Sequence, residues 1–240
     1  MRPANILICE NESAASREAA DRFACAAVRS VAEQGRFCVA VSGGSTPKGM
    51  YESLAEEHLA TVPWYRTELF FVDERCVPPD SLDSNYRMVH DLLLATVPIP
   101  ETGIHRFEGE LSPETAAGRY EQNIHAVMGR DPRFDLIVLG MGDDTHTASL
   151  FPYSPALNET GRLAVSNYVQ KLATDRLTLT IPLINRAHSV IILVLGESKA
   201  QALADAMSGT EDIEMHPVQA VRPTHGRLLW IVDRAAAAKL

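Results

Sequence analysis

Asp144 and His146 stand two residues apart in Gly140-Met141-Gly142-Asp143-Asp144-Thr145-His146, and a carboxylate that close to an imidazole is suited to moving a proton. An unperturbed imidazole titrates at about pH 6.5, so the neutral ring can accept a proton at neutral pH, and a neighbouring carboxylate can orient it. The pair follows the apolar run Leu136-Ile137-Val138-Leu139, which reads as a buried strand. Glycines let the chain turn sharply after such a strand. In an open α/β sheet, ligands bind just beyond the carboxyl ends of the strands. A polar loop without chemistry fits this stretch alone equally well, so the other motifs must decide.

Three further polar motifs also follow apolar runs. Ser42-Gly43-Gly44-Ser45-Thr46-Pro47 offers two glycines, three hydroxyls and a proline suited to starting a helix, a combination that can cradle an anion. It is not a Walker A loop, because Met50 stands where lysine is required. Gly140-x-Gly142 is not a dinucleotide fingerprint, because Thr145 occupies the third glycine position. Arg75, in Asp73-Glu74-Arg75, can grip a phosphate or a substrate oxygen with its guanidinium fork, or pair internally with Asp73 or Glu74. Lys199, in Gly196-Glu197-Ser198-Lys199, can reach a phosphate as a point charge. Arg176 is a weaker candidate, expected near the opposite edge of the sheet unless its strand runs antiparallel. Ser149 lies three residues after His146, but no G-x-S-x-G elbow presents it as a nucleophile. The eight histidines form no HxH or HExxH pattern, so no metal site is expected.

The elements that must position these groups alternate. Asn5 to Cys9 reads as a strand, and Ser13 is placed to cap a helix running to about Gln34, where Gly35 stops it. Phe37 to Val41 is a strand, with a helix through Met50, Tyr51 and Leu54 after the glycine loop. Leu69 to Val72 is a strand, and Ser84 caps a helix through Tyr86, Val89, Leu92 and Leu93. A short strand is expected at Ile104 to Phe107, and Pro113 starts a helix to about Met128. Thr147 to Leu150 reads as a first helical turn. Leu163 to Val165, Leu177 to Ile181 and Val190 to Leu195 read as strands. A helix to about Met207, a last strand at Leu228 to Val232 and a short terminal helix capped by Asp233 complete the chain. This alternation predicts an α/β fold: one domain over residues 1–240, with a doubly wound, mainly parallel, Rossmann-like sheet and helices on both faces. In a parallel sheet the four strand ends share one edge, so motifs spread from Ser42 to Lys199 converge.

Composition bounds the partners. An apolar fraction of 46% supports a full core, and no stretch approaches the roughly 18 apolar residues of a membrane span. A net charge of −9 argues against nucleic acid and anionic membranes, so a small anionic ligand would need a local cationic pocket. The opening residues lack a signal-peptide core, and Cys9, Cys25, Cys38 and Cys76 form no CxxC pair, as expected of a cytoplasmic protein with reduced thiols. A monomer or small homo-oligomer is expected.

Together these motifs resemble the 6-phosphogluconolactonases, within the superfamily that also holds glucosamine-6-phosphate deaminases. The likeness runs from about Val39 to Val232, with the motifs in the family's order. VSGGSTP is similar to the family's phosphate loop. FVDER, followed by Asp83-Ser84-Asn85-Tyr86, is similar to its second signature, and GMGDDTHTASLFP to G-M-G-x-D-G-H-x-A-S-L-F-P. Gly196-x-x-Lys199 matches a superfamily phosphate contact. The resemblance implies hydrolysis of 6-phospho-D-glucono-1,5-lactone to 6-phosphogluconate in the pentose phosphate pathway, with no organic cofactor and no metal. His146 would deprotonate water and later return the proton to the ring oxygen, and Asp144 would orient it. Ser42, Gly43, Gly44, Ser45, Thr46, Arg75, Lys199 and Arg176 would hold the phosphorylated sugar lactone. Arg75 and backbone N–H groups near Gly43-Gly44 are candidates for stabilising the oxyanion. The rivals are a sugar-phosphate isomerase or deaminase and a non-catalytic sugar-phosphate regulator. Leu150-Phe151-Pro152 offers no carboxylate where the deaminases carry one, and no extra domain is evident. Thr145 departs from the family pattern by replacing a glycine. Because His146 and the following TASLFP are retained around it, an ordinary negative φ is expected at Thr145; the alternative is a strained loop held by its neighbours, with the Thr145 hydroxyl bonded to Asp143 or a nearby carbonyl.

Overall fold

The computed structural model describes residues 5–208 and 210–240. The first half runs β1 (Asn5–Cys9), α1 (Glu12–Gln34), β2 (Phe37–Val41), α2 (Lys48–Glu57), β3 (Thr67–Phe71), β4 (Asp73–Arg75), α3 (Asn85–Val89), β5 (Ile104–His105) and α4 (Pro113–Met128). The second half runs β6 (Leu136–Gly140), β7 (Ala164–Val169), β8 (Thr174–Leu179), α5 (Ile181–Ile184), β9 (Ser189–Val194), α6 (Ala200–Ser208) and β10 (Arg227–Asp233). Among the described residues, no helix is long and apolar enough to cross a membrane.

Seven strands form one parallel sheet in the order β1-β10-β9-β6-β2-β3-β5. The near-continuous apolar runs of β2, β6 and β9 are buried along almost their whole length, as parallel strands covered on both faces must be. The sheet is doubly wound. From β2 the chain proceeds outward through β3 to β5, and from β6 it proceeds the other way through β9 to β10. The winding therefore reverses between β2 and β6, and a crevice opens there at the carboxyl ends. The glycine loop and the Asp144–His146 loop leave from these two strands.

The long helix α1 starts two residues earlier than expected. Asn11, in an extended conformation, accepts a hydrogen bond from the Ala14 N–H at 2.9 Å, so Asn11 rather than Ser13 is the cap. Gly35 ends the helix at φ 79°, as its position predicts. Ser84 caps α3 by accepting from the Arg87 N–H, and a π turn over residues 90–94 continues that helix.

The largest departure from the expected single sheet is a second, antiparallel one, β4-β8-β7. Val72 is where the chain changes sheets. Its N–H bonds Val41 in the main sheet at 2.9 Å, and its carbonyl accepts from the Leu179 N–H in the small sheet at 2.8 Å. Tyr120 of α4 braces the preceding residue, because its hydroxyl accepts from the Phe71 N–H and donates to the Phe71 carbonyl. Asp73-Glu74-Arg75 is thus a short strand in its own right. Ile181 opens α5 instead of ending a strand, with Pro182 in the first turn of that helix.

Two expected helices are absent. Residues 147–150 form a tight turn closed by a Thr147–Leu150 bridge, with Ala148 at φ 49°. After β10 the chain forms turns, and Asp233 accepts from the N–H groups of both Ala236 and Gly196. Asp233 therefore ties the terminal turn to the turn that carries Lys199.

Candidate active site

His146 and Asp144 meet as their spacing predicts. The imidazole Nδ1 lies 2.5 Å from Asp144 Oδ1, and the ring stacks on Phe151 with centroids 4.1 Å apart. Burial works against the Asp144 carboxylate's charge. The hydrogen bond and charge of His146 and the Lys171 ammonium, 3.0 Å from Oδ2, outweigh it and hold the carboxyl well below the usual carboxylate range. An ionised Asp144 accepts the Nδ1 proton, which leaves Nε2 as the basic nitrogen. The loop is closed by two backbone bonds, Gly142 N–H to His146 O and Thr145 N–H to Gly142 O. Gly142 is needed here because a Cβ at this position would lie 2.1 Å from His146 Nδ1.

Thr145 corrects the expectation of negative φ: it sits at φ 63°. A β-branched residue in this region is strained by about 1–2 kcal/mol. Tertiary contacts hold it there. The side chain is buried, its hydroxyl donates to the Asp144 carbonyl at 2.6 Å, and it lies 3.3 Å from the Met215 carbonyl and His216 Nδ1. Val218 N–H bonds the Thr145 carbonyl. Thr145→Gly is expected to leave turnover within a few-fold and to destabilise the protein by about 1 kcal/mol. Strain relief is outweighed by the lost hydroxyl bond, the lost methyl burial and the freer unfolded chain, each worth roughly 0.5–1 kcal/mol. Denaturant unfolding measures this, and a stabilised variant would show that strain dominates.

A cleft of ≈ 180 Å³ joins the dyad to the glycine loop and to Lys199, and a second of ≈ 260 Å³ joins it to Lys171 and Arg176. Asp73, Arg75, His146 and Ala148 line both, so they mark the junction. Gly43, Gly44, Ser45 and Thr46 lie at the start of α2, with Gly44 at φ 83°. Ser42 differs from expectation in one respect: its hydroxyl donates to the Val138 carbonyl at 2.8 Å, joining β2 to β6. Arg75 forms neither of the internal ion pairs weighed for it; its guanidinium donates to the Asp83 carbonyl. Arg176 lies in the site, not at the far edge. β8 runs antiparallel to β4 and sets Arg176 directly opposite Arg75. Burial, and then the charge of Arg75, lower the proton affinity of Arg176. Among the described residues, Arg75, Arg176 and Lys199 have no carboxylate salt-bridge partner. In a chain of net charge −9, three such cations around two adjoining clefts, with Arg75 lining both, are the local pocket that an anionic ligand requires.

Three lining residues escaped the sequence reading. Asp73 is buried and accepts from Ser149 Oγ at 2.6 Å and from Asn85 Nδ2 at 3.3 Å. Ser149 is thereby committed to Asp73 and is not a nucleophile for His146. Asn85 packs on Gly43 so closely that a Cβ there would lie 1.8 Å from its Oδ1. Glu74 holds this corner by accepting from the N–H groups of Arg75, Asn85 and Tyr86 and from the Ser84 hydroxyl. Lys171 is the third, and only its proximity in the fold reveals it.

A curated 6-phosphogluconolactonase of Synechocystis is 44% identical over 218 residues, covering 88% of each chain. The solved 6-phosphogluconolactonase of Trypanosoma cruzi is 31% identical and superposes with a TM-score of 0.89, covering 99% of this chain and 97% of that one. A monomeric glucosamine-6-phosphate deaminase, at 20% identity and a TM-score of 0.82, shares the fold, covering 98% of this chain and 100% of that one. The family model for glucosamine-6-phosphate isomerases/6-phosphogluconolactonase matches residues 10–230, nearly the whole chain. With that match and the lactonase likeness at 44% identity, this chain belongs to the glucosamine-6-phosphate isomerase/6-phosphogluconolactonase family.

Proposed function

We propose that this protein hydrolyses 6-phospho-D-glucono-1,5-lactone to 6-phospho-D-gluconate, the lactone-opening step of the oxidative pentose phosphate pathway, in the cytoplasm. The observation that carries this reading is the Asp144–His146 contact at the junction of two clefts lined by Arg75, Arg176 and Lys199, which have no carboxylate partner among the described residues. His146 Nε2 takes a proton from water as the water oxygen attacks the lactone carbonyl. Arg75, at the junction, donates to the oxyanion that forms, together with backbone N–H groups of the glycine loop. The bond from the carbonyl carbon to the ring oxygen then breaks, and His146 returns its proton to that oxygen. The product acid ionises, so one proton is released per turnover. Lys199 and residues 43–46 face the phosphate. Asp73, an acceptor, suits a sugar hydroxyl rather than the carbonyl oxygen. Residues 150–152 supply no further carboxylate for the carbon-proton transfer an isomerase needs. Acid release from freshly generated lactone, measured against the spontaneous rate, tests the assignment; a rate equal to the spontaneous one would refute it.

Lys199→Ala is expected to weaken the phosphorylated lactone by about 1.5–3 kcal/mol, the range for a hydrogen bond to a charged group. Unphosphorylated gluconolactone should be affected much less. Equal losses on the two substrates would remove Lys199 from phosphate recognition, whereas Arg75→Ala, which removes an oxyanion donor, should slow both substrates.

A further inference from the structure

Lys171 lies 25 residues beyond His146 in sequence, yet it touches the other oxygen of the same carboxylate. Asp144 presents Oδ1 to His146 Nδ1 at 2.5 Å and Oδ2 to Lys171 Nζ at 3.0 Å. This contact is built into the fold. Lys171 sits in the turn over residues 170–173 that joins β7 to β8, and Ala173 at φ 49° closes the turn. The hairpin below is fastened to the catalytic loop: Asn167 Nδ2 donates to the Ser149 carbonyl at 2.8 Å, and Ser149 N–H donates to Thr178 Oγ1. The turn is thereby held above the dyad.

We propose that Lys171 is a positioning residue that shares the Asp144 carboxylate with His146 and so keeps the imidazole ready to give up its proton. The inference rests on reading His146 as the proton carrier. A protonated ring beside Asp144 is stabilised by that carboxylate, and the ammonium on the far oxygen offsets part of the stabilisation. The protonated ring then returns its proton to the leaving oxygen more readily. The other charges near the ring are Asp143 on its own loop, Asp73 and Arg75 from β4, Arg176 from β8 and Lys199 beyond β9. A change at position 171 leaves all of these in place, so a difference between variants isolates Lys171. Its side chain is 63% exposed, so water and salt reduce the effect.

The test titrates the His146 ring by NMR in the ligand-free protein, with its signal assigned by loss in His146→Asn. The pH profile of kcat for the lactone is measured alongside. Lys171→Met is expected to move the ring's midpoint and the acid limb of kcat upward by about 0.3–1 pH unit at low ionic strength. Lys171→Arg should restore both, and high salt should shrink the difference. A midpoint that stays or falls in Lys171→Met overturns the proposal. So does a rise in KM with an unmoved acid limb, which would make Lys171 a substrate anchor only. The ring titration needs no turnover, so it judges Lys171 even if lactone hydrolysis itself is not found.

Discussion

His146→Ala is expected to lower kcat by about 10²–10⁴-fold, the contribution of a positioned general base, while the protein stays folded. The fold should survive because the imidazole is partly exposed on a loop and its polar partner, Asp144, keeps the Lys171 ammonium. What is lost from packing is one stacked contact on Phe151, worth about 1 kcal/mol. The lactone opens spontaneously, so activity must be read as the excess over that background. Substrate affinity should change little, because the glycine loop, Lys199 and Arg75 remain in place. His146→Asn, which keeps a polar side chain of similar size, should be nearly as slow. A well-folded alanine variant with near-normal kcat would take His146 out of the mechanism.

What the sequence made legible is the part governed by local rules. β2, β6 and β9 are continuous apolar runs that end in glycine-bearing polar motifs, so both the strands and the convergence of their ends could be read directly. Asp144 and His146 are two residues apart, and their contact needs no other element. The parts that were not legible depend on partners distant in sequence. Arg176 enters the site because β8 turns antiparallel onto β4, a pairing set by the sheet change at Val72. Asp73 faces the cleft with its carboxylate held by Ser149, 76 residues away, and by Asn85. Thr145 adopts positive φ because residues 215–218 clamp its hydroxyl and carbonyl, and no local propensity could overrule the usual preference of a β-branched residue. Asp233 was expected to cap a terminal helix that does not form; it accepts from Ala236 N–H in a turn instead, and its second donor, the Gly196 N–H, comes from another strand end.

Gly142→Ala should be the second severe loss, through geometry alone. Gly142 does not have positive φ, so alanine can adopt its backbone conformation without strain. A Cβ at this position would nevertheless lie 2.1 Å from His146 Nδ1, 2.2 Å from Cε1 and 2.8 Å from Asp144 Oδ1. No carbon can occupy that place while the two side chains keep their contact. The ring is the end of a side chain on an open loop, so the cheapest response is for the imidazole to swing away, breaking the bond to Asp144. The backbone bonds Gly142 N–H to His146 O and Thr145 N–H to Gly142 O involve no side chain, and the loop should keep its path. A reacting group displaced by about 1 Å can lose a factor of about 10² in rate, so kcat is expected to fall at least that far. KM should stay close to wild type, since Lys199 and the glycine loop are untouched. Gly140→Ala is the matched control: it lies on the same segment, a Cβ there meets nothing within 4 Å, and its φ is not positive. It should be nearly silent. Loss of activity in both variants would point to general sensitivity of the loop. A Gly142→Ala protein with normal kcat would show that the Asp144–His146 contact is not required for turnover.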